Sequence, residues 1–244
     1  MRHQILAACF ALAVPFAAHA GELTRIHTGQ DWFDHENDGP CAARFDGQIV
    51  KGDSVGRGMN GSDFAPLCLN SPGGSLPAGI ELGTEKQWGA RILPGETCES
   101  ACAMAFLKAG YVTGNGLPAF YHERALWAGG RLGLHSPGLD LPEGLRVDTS
   151  TVETAFKAAL AATSQVYQLH QSPDGNGTLP LNSYLYQRFL ETPPDDMYYI
   201  DTVGDALLSE LPVLGVERRA KLNAGLIDTI CRNALLVSGA FETS

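Results

Sequence analysis

No apolar run in this sequence reaches the ~20 residues that a membrane-spanning helix needs. Basic clusters are just as scarce, with 17 lysines and arginines against 27 acids in 244 residues. That balance argues against nucleic acid or an anionic lipid surface as a partner. The cysteines and histidines do not assemble a zinc-ligand set. Asp31, Asp34 and Asp38 lack the spacing and the closing glutamate of an EF-hand calcium loop. No internal repeat is visible. Neither a metal nor an organic cofactor is expected.

What is present begins with Met1-Arg2-His3, an apolar stretch from Ile5 to Ala18, and small residues at Ala18-His19-Ala20. A basic tip, a short apolar core and a small-residue cleavage point make residues 1–20 a secretory signal peptide. Cleavage after Ala20 leaves 224 residues, enough for one core. With Arg2 gone, 16 basic residues face 27 acids, a formal charge of −11. The expected location is the periplasm or the medium, with no membrane span after signal removal.

Cys9 leaves with the signal, so five cysteines remain. An oxidising compartment then predicts two disulfides and one spare thiol. Cys98 and Cys102 are one candidate pair, although in one regular helix they would share a face rather than meet. Cys41 and Cys231, near the mature ends, are candidates for a long-range staple. Cys68 lies in an apolar strand and reads as a small buried side chain.

Along the chain, strands are predicted at 43–50, 65–69, 90–93 and 131–134. Helices are predicted at 77–85, 100–109, 150–169, 181–190, 203–210 and 218–237. Ser150 and Glu153 have capping-box spacing at the head of the long helix. Strands alternating with helices predict an α/β protein with largely parallel pairing. Residues 111–130 read as a glycine- and aromatic-containing insertion.

Three pieces carry chemistry. Gly73-Gly74 follows a strand directly, where glycines let backbone N–H groups approach a substrate. Ser100 opens an apolar helix whose unpaired N–H groups can stabilise developing negative charge. His135 ends a strand just before Pro137, and imidazole is the usual proton acceptor for a serine hydroxyl. Together they predict a nucleophile, a base and a backbone oxyanion hole.

Three stretches carry a resemblance: Asn70-Ser71-Pro72-Gly73-Gly74-Ser75, Cys98-Glu99-Ser100-Ala101-Cys102-Ala103 and Leu134-His135-Ser136-Pro137. Across roughly 43–215 the sequence resembles the Clp peptidase side of the Clp/crotonase-like superfamily, nearest its exported bacterial members. The resemblance implies repeated β-β-α units with a largely parallel sheet and surrounding helices. It also implies an N-terminal extension at 21–42 and a C-terminal helical extension at 216–244. Carried onto this chain, Ser100 is the nucleophile and His135 the general base. Gly74 and Ala101 offer oxyanion-hole N–H groups, with Gly73 shaping the approach. The family's orienting aspartate has no direct counterpart; Glu191 is the best match and Asp195 the substitute. Trp127, His122 and the 111–130 insertion are candidates to roof a cleft, or to pack over a core edge. The expected function is a serine hydrolase, a peptidase, acting on a peptide or small acyl substrate, and by family habit a homo-oligomer. The alternative is a non-catalytic envelope binding or assembly protein on the same fold. A thioester enzyme is disfavoured, because export removes coenzyme A and no basic patch awaits its phosphates.

Overall fold

A computed structural model describes residues 20–26, 41–55, 65–85, 88–112, 119–138, 148–216, 223–225, 227–228 and 231–232. The signal peptide, apart from Ala20, lies outside the described residues, as do much of the N-terminal extension and most of the 218–237 helix.

The protein is a mixed α/β fold with a multi-stranded sheet surrounded by helices. Among the described residues the larger sheet has eight strands. Its centre runs β2 (Ala43–Asp46), β3 (Ala65–Asn70), β4 (Trp88–Ile92) and β8 (Arg124–Trp127), each parallel to the next in that order. In β3, Pro66, Leu67, Cys68 and Leu69 are all buried. Such an unbroken apolar run marks a parallel strand covered on both faces. β1 (Glu22–Arg25) lies antiparallel outside β2, and β11 (Val213–Leu214) adds parallel to β8.

The 111–130 segment is more than an insertion. It supplies most of a hairpin, β6 (Gly110–Val112) with β7 (Phe120–His122), and then the central strand β8. Arg124 on β8 is only 5% exposed. Its guanidinium donates to Leu107 O and, at 3.1 Å, to Leu179 O. Burial pushes its pKa down to about 10. A cation closing the carbonyl end of a helix is favourable, which gives this buried charge a structural reason.

A second, three-stranded sheet positions the site. It contains β5 (Thr97–Glu99), parallel to β9 (Arg131–Leu134), and β10 (Tyr198–Tyr199), antiparallel to β9. β5 runs straight into α2 (Ala101–Lys108). α1 (Leu76–Thr84) begins with Ser75 as its cap and lies alongside α2. Their backbones nearly touch: a Cβ on Gly79 would lie 2.2 Å from Ala101 O, and one on Gly83 would lie 2.8 Å from Ala105 O.

α3 (Thr149–His170) is capped by Asp148, which accepts from Thr151 N at 2.7 Å. The predicted Ser150 cap is thus displaced by two residues; the Ser150 hydroxyl instead donates to Asp148. A carboxylate outcompetes a hydroxyl as an acceptor for the first-turn N–H groups. α4 (Ser183–Glu191) follows, and α5 (Val203–Leu208) carries a Thr202–Asp205 capping box.

Cys98 pairs with Cys102. This is possible because Cys98 is in β5 and Cys102 in α2, not both in one helix. The expected Cys41–Cys231 staple is overturned: Cys41 pairs with Cys68 at a Cα separation of 5.6 Å, and Cys231 is exposed and free. Cys41 lies just before β2 and Cys68 within β3, and these two strands are direct parallel neighbours, with Ala42 N donating to Pro66 O at 2.7 Å.

Candidate active site

Ser100 occupies the joint between β5 and α2 with φ 55° and ψ −119°. A non-glycine residue at positive φ is strained, by about 1–3 kcal/mol, and persists only where its surroundings enforce it. Here three constraints act. The Ser100 N–H donates to Gly133 O at 3.0 Å, tying the joint to β9. The Cys98–Cys102 bridge closes around it. Gly73 packs against its other side, where an added Cβ would lie 2.7 Å from Ser100 Cβ and 2.6 Å from Glu99 O. The Ser100 side chain makes no capping bond. Its hydroxyl is therefore left to the cleft.

The Gly73-Gly74 turn is held from beneath. Ile49 N donates to Gly73 O at 2.7 Å and Ser75 N donates to Ile49 O at 2.9 Å. Both glycines have positive φ, 94° and 140°. Among the described residues, the Gly74 and Ala101 N–H groups have no hydrogen-bond partner. They belong to the two segments that meet at Ser100.

His135 follows β9 and is half-buried. Its Nδ1 is 2.8 Å from Ser136 O. A carbonyl only accepts, so Nδ1 donates, and in the neutral ring this tautomer leaves Nε2 its lone pair. The carbonyl is itself fixed, because Ser136 N and Ser136 Oγ both donate to Thr192 O at 2.8 Å. Ser100, His135 and Gly74 line one cleft of about 340 Å³, whose other walls are mostly apolar: Leu76, Pro77, Pro137, Ala158, Ala159, Ala162 and Phe189. Among the described residues, the Ser100 hydroxyl and the imidazole do not hydrogen-bond to each other. Such bonds are commonly long without substrate.

The two candidate acids are not at the imidazole. Glu191 is exposed and accepts from Gln187 Nε2 at 2.7 Å and Arg188 Nη1 at 3.1 Å. Asp195 is exposed, and neither carboxylate hydrogen-bonds to His135. The Ser136 carbonyl takes that position. Sequence reasoning had no means of finding it, since every residue has a backbone carbonyl. A second group missed is Glu99, which accepts from Tyr199 Oη at 2.5 Å while the Arg131 guanidinium lies 3.8 Å over the Tyr199 ring. The hydrogen bond to Glu99, and then burial, raise the Tyr199 phenol.

Of the two readings of the aromatic residues, packing over a core edge is the one observed. Trp127 lies against Gly215, and Phe120 meets His122 edge to face at 5.0 Å. Neither lines the Ser100 cleft. Both ring nitrogens of His122 are buried without a hydrogen-bond partner among the described residues. Burial, then the charge of Arg124, push its pKa down to about 4. The unfolded chain therefore binds a proton near pH 6.5 that the folded state refuses until about pH 4. Stability falls as pH drops through that window, by about 2 kcal/mol after discounting for partial solvent access. Urea melts of the wild type between pH 7 and 4 should show this slope, and His122→Phe should flatten it. An unchanged slope in the variant would assign it to other groups.

Comparison with protein-family models and with curated proteins finds no match to this chain. Among the described residues no group of three or more histidine, cysteine or acidic side chains is placed to hold a metal, and no helix is long and apolar enough to cross a membrane.

Proposed function

We propose that the protein is an exported serine hydrolase, a peptidase, with Ser100 as nucleophile and His135 as general base. The observation that carries this reading is the strained Ser100, its hydroxyl uncommitted, sharing a cleft with an imidazole whose Nε2 is free to accept. Ser100 Oγ attacks the acyl carbon as Nε2 takes its proton. The Gly74 and Ala101 N–H groups receive the oxyanion. His135 then protonates the leaving group, and water, activated by the same nitrogen, releases the acyl-enzyme. The Ser136 carbonyl orients the ring in place of a carboxylate.

The fold-level part of the proposal is a Clp/crotonase-like domain. It is supported by two strand–strand–helix stretches, β4–β5–α2 and, after the β6–β7 hairpin, β8–β9–α3, whose second strands pair in parallel in the smaller sheet. Assembly into a homo-oligomer and a periplasmic location belong to the same proposal. The competing reading, a binding module, draws on the missing carboxylate at His135 and the absence of a Ser100–His135 hydrogen bond.

A fluorophosphonate probe separates the two. Oxidised mature protein should label stoichiometrically, Ser100→Ala not at all, and His135→Ala about 10²–10⁴-fold more slowly, the usual contribution of a general base. Folded wild-type protein that takes up no label would leave the binding module as the function.

A further inference from the structure

A second cleft, also of about 340 Å³, opens beside the first, and Pro77 borders both. α1 and α3 wall the two in the same order. Ala158, Ala159 and Ala162 of α3 face the Ser100 end, and Gln165 and Gln168 face the second cleft. The Gly79–Ala101 and Gly83–Ala105 contacts make α1 and α2 run in the same direction, so the groove follows α2 from Ser100 toward Lys108. Lys108 lines the far cleft and is half-buried. Its ammonium forms no salt bridge and no hydrogen bond among the described residues. Glu81, on the exposed rim of the same cleft, is not paired with it. Burial lowers the Lys108 pKa, the mark of an ammonium that has given up water without gaining an anion.

We propose that Lys108 is a carboxylate-binding subsite of the groove, which holds a substrate carboxylate while the scissile carbonyl is at Ser100. The proposal rests on the reading of Ser100 as nucleophile. Eight residues of helix separate the two, about 12 Å at 1.5 Å per residue. An extended peptide covers that in three to four residues. Gln165 and Gln168 supply further donors, and the apolar walls near Ser100 accommodate an uncharged side chain next to the cleaved bond. The carboxylate is either the peptide C-terminus or an acidic side chain at that spacing.

The test is equilibrium binding to full-length mature Ser100→Ala protein, which is independent of turnover. The probes are acetylated peptides with one phenylalanine followed by one to six alanines. Each is made as free acid, as amide, and as amide with glutamate as its last residue. Free acids should bind about tenfold or more tighter than amides, a typical value for one charge-assisted contact, with a maximum at a span of about 12 Å. If the glutamate amides recover that gain, side chains serve as well as termini. Adding Lys108→Met should abolish the preference, and Lys108→Arg should retain it, which separates lost charge from lost folding. Equal affinity of acids and amides, a preference that survives Lys108→Met, or no peptide binding at millimolar concentration would each overturn the subsite. Fluorophosphonate labelling of the Lys108→Met protein with Ser100 intact reports on the nucleophile separately, so the two proposals fail independently.

Discussion

Gly79→Ala should destabilise the protein by about 3 kcal/mol, the upper range for overpacking a tight contact. The added methyl would lie 2.2 Å from Ala101 O and 2.8 Å from its carbonyl carbon. Both are backbone atoms in the first turn of α2, so no side-chain rotation relieves the clash and the helices must part. Gly83→Ala meets Ala105 O at 2.8 Å and should cost less. Because one separation serves both methyl groups, the double variant should lose less than the sum of the singles. Urea melts of the three proteins check this. A Gly79→Ala midpoint equal to that of the wild type would mean that the α1–α2 contact is looser than described. The site should suffer as well, since α1 begins just after Gly74 and α2 begins at Ala101. Helices that part also draw the two unpartnered N–H groups away from each other.

The two disulfides should divide their effects between stability and chemistry. Loop-closure entropy grows with the residues enclosed. The Cys41–Cys68 bridge encloses a separation of 27 and should contribute about 3.5 kcal/mol, whereas Cys98–Cys102 encloses 4 and should contribute about 2 kcal/mol. Replacing each pair by alanines should reproduce that order in thermal melts. Fluorophosphonate labelling should follow the reverse order. The short bridge spans the strained Ser100, and without it the residue is expected to relax toward negative φ and turn its hydroxyl to cap α2. Labelling should then fall at least tenfold in the Cys98/Cys102 pair variant and remain near wild type in the Cys41/Cys68 variant at a temperature where both are folded. Equal labelling in the two would show that Gly73 and the Gly133 hydrogen bond suffice to hold the strain.

Much of this architecture was legible because its signals are local. The buried run 66–69, the glycine punctuation after it and the alanine-rich stretch 101–107 identify β3, the Gly73-Gly74 turn and α2 without reference to the rest of the chain. β5, β10 and β11 were not legible, being only two or three residues long and defined by partners far away in sequence. The Cys41–Cys68 pairing was hidden for the same reason, since it depends on β2 lying beside β3, a neighbour distant in sequence. At the site, Ser100 and His135 are found by residue type and setting. The group at Nδ1 is a main-chain carbonyl, which no residue type signals, and Glu191 is engaged with Arg188.

α3 is fastened at one end. Only Val166 and Leu169 near its C-terminus are buried, while Val152, Phe156 and Leu160 stand 53%, 64% and 53% exposed. Local opening is cheapest where few apolar contacts are lost. The N-terminal half of the helix, with Ala158 and Ala159 at its end, should therefore fluctuate most readily, and those two alanines with Ala162 line the cleft that holds Ser100. In the proposed hydrolase the constrained Ser100 joint would then face a compliant wall. The width of the entrance would be a thermal average, and bulky substrates would gain access by waiting for the helix to breathe.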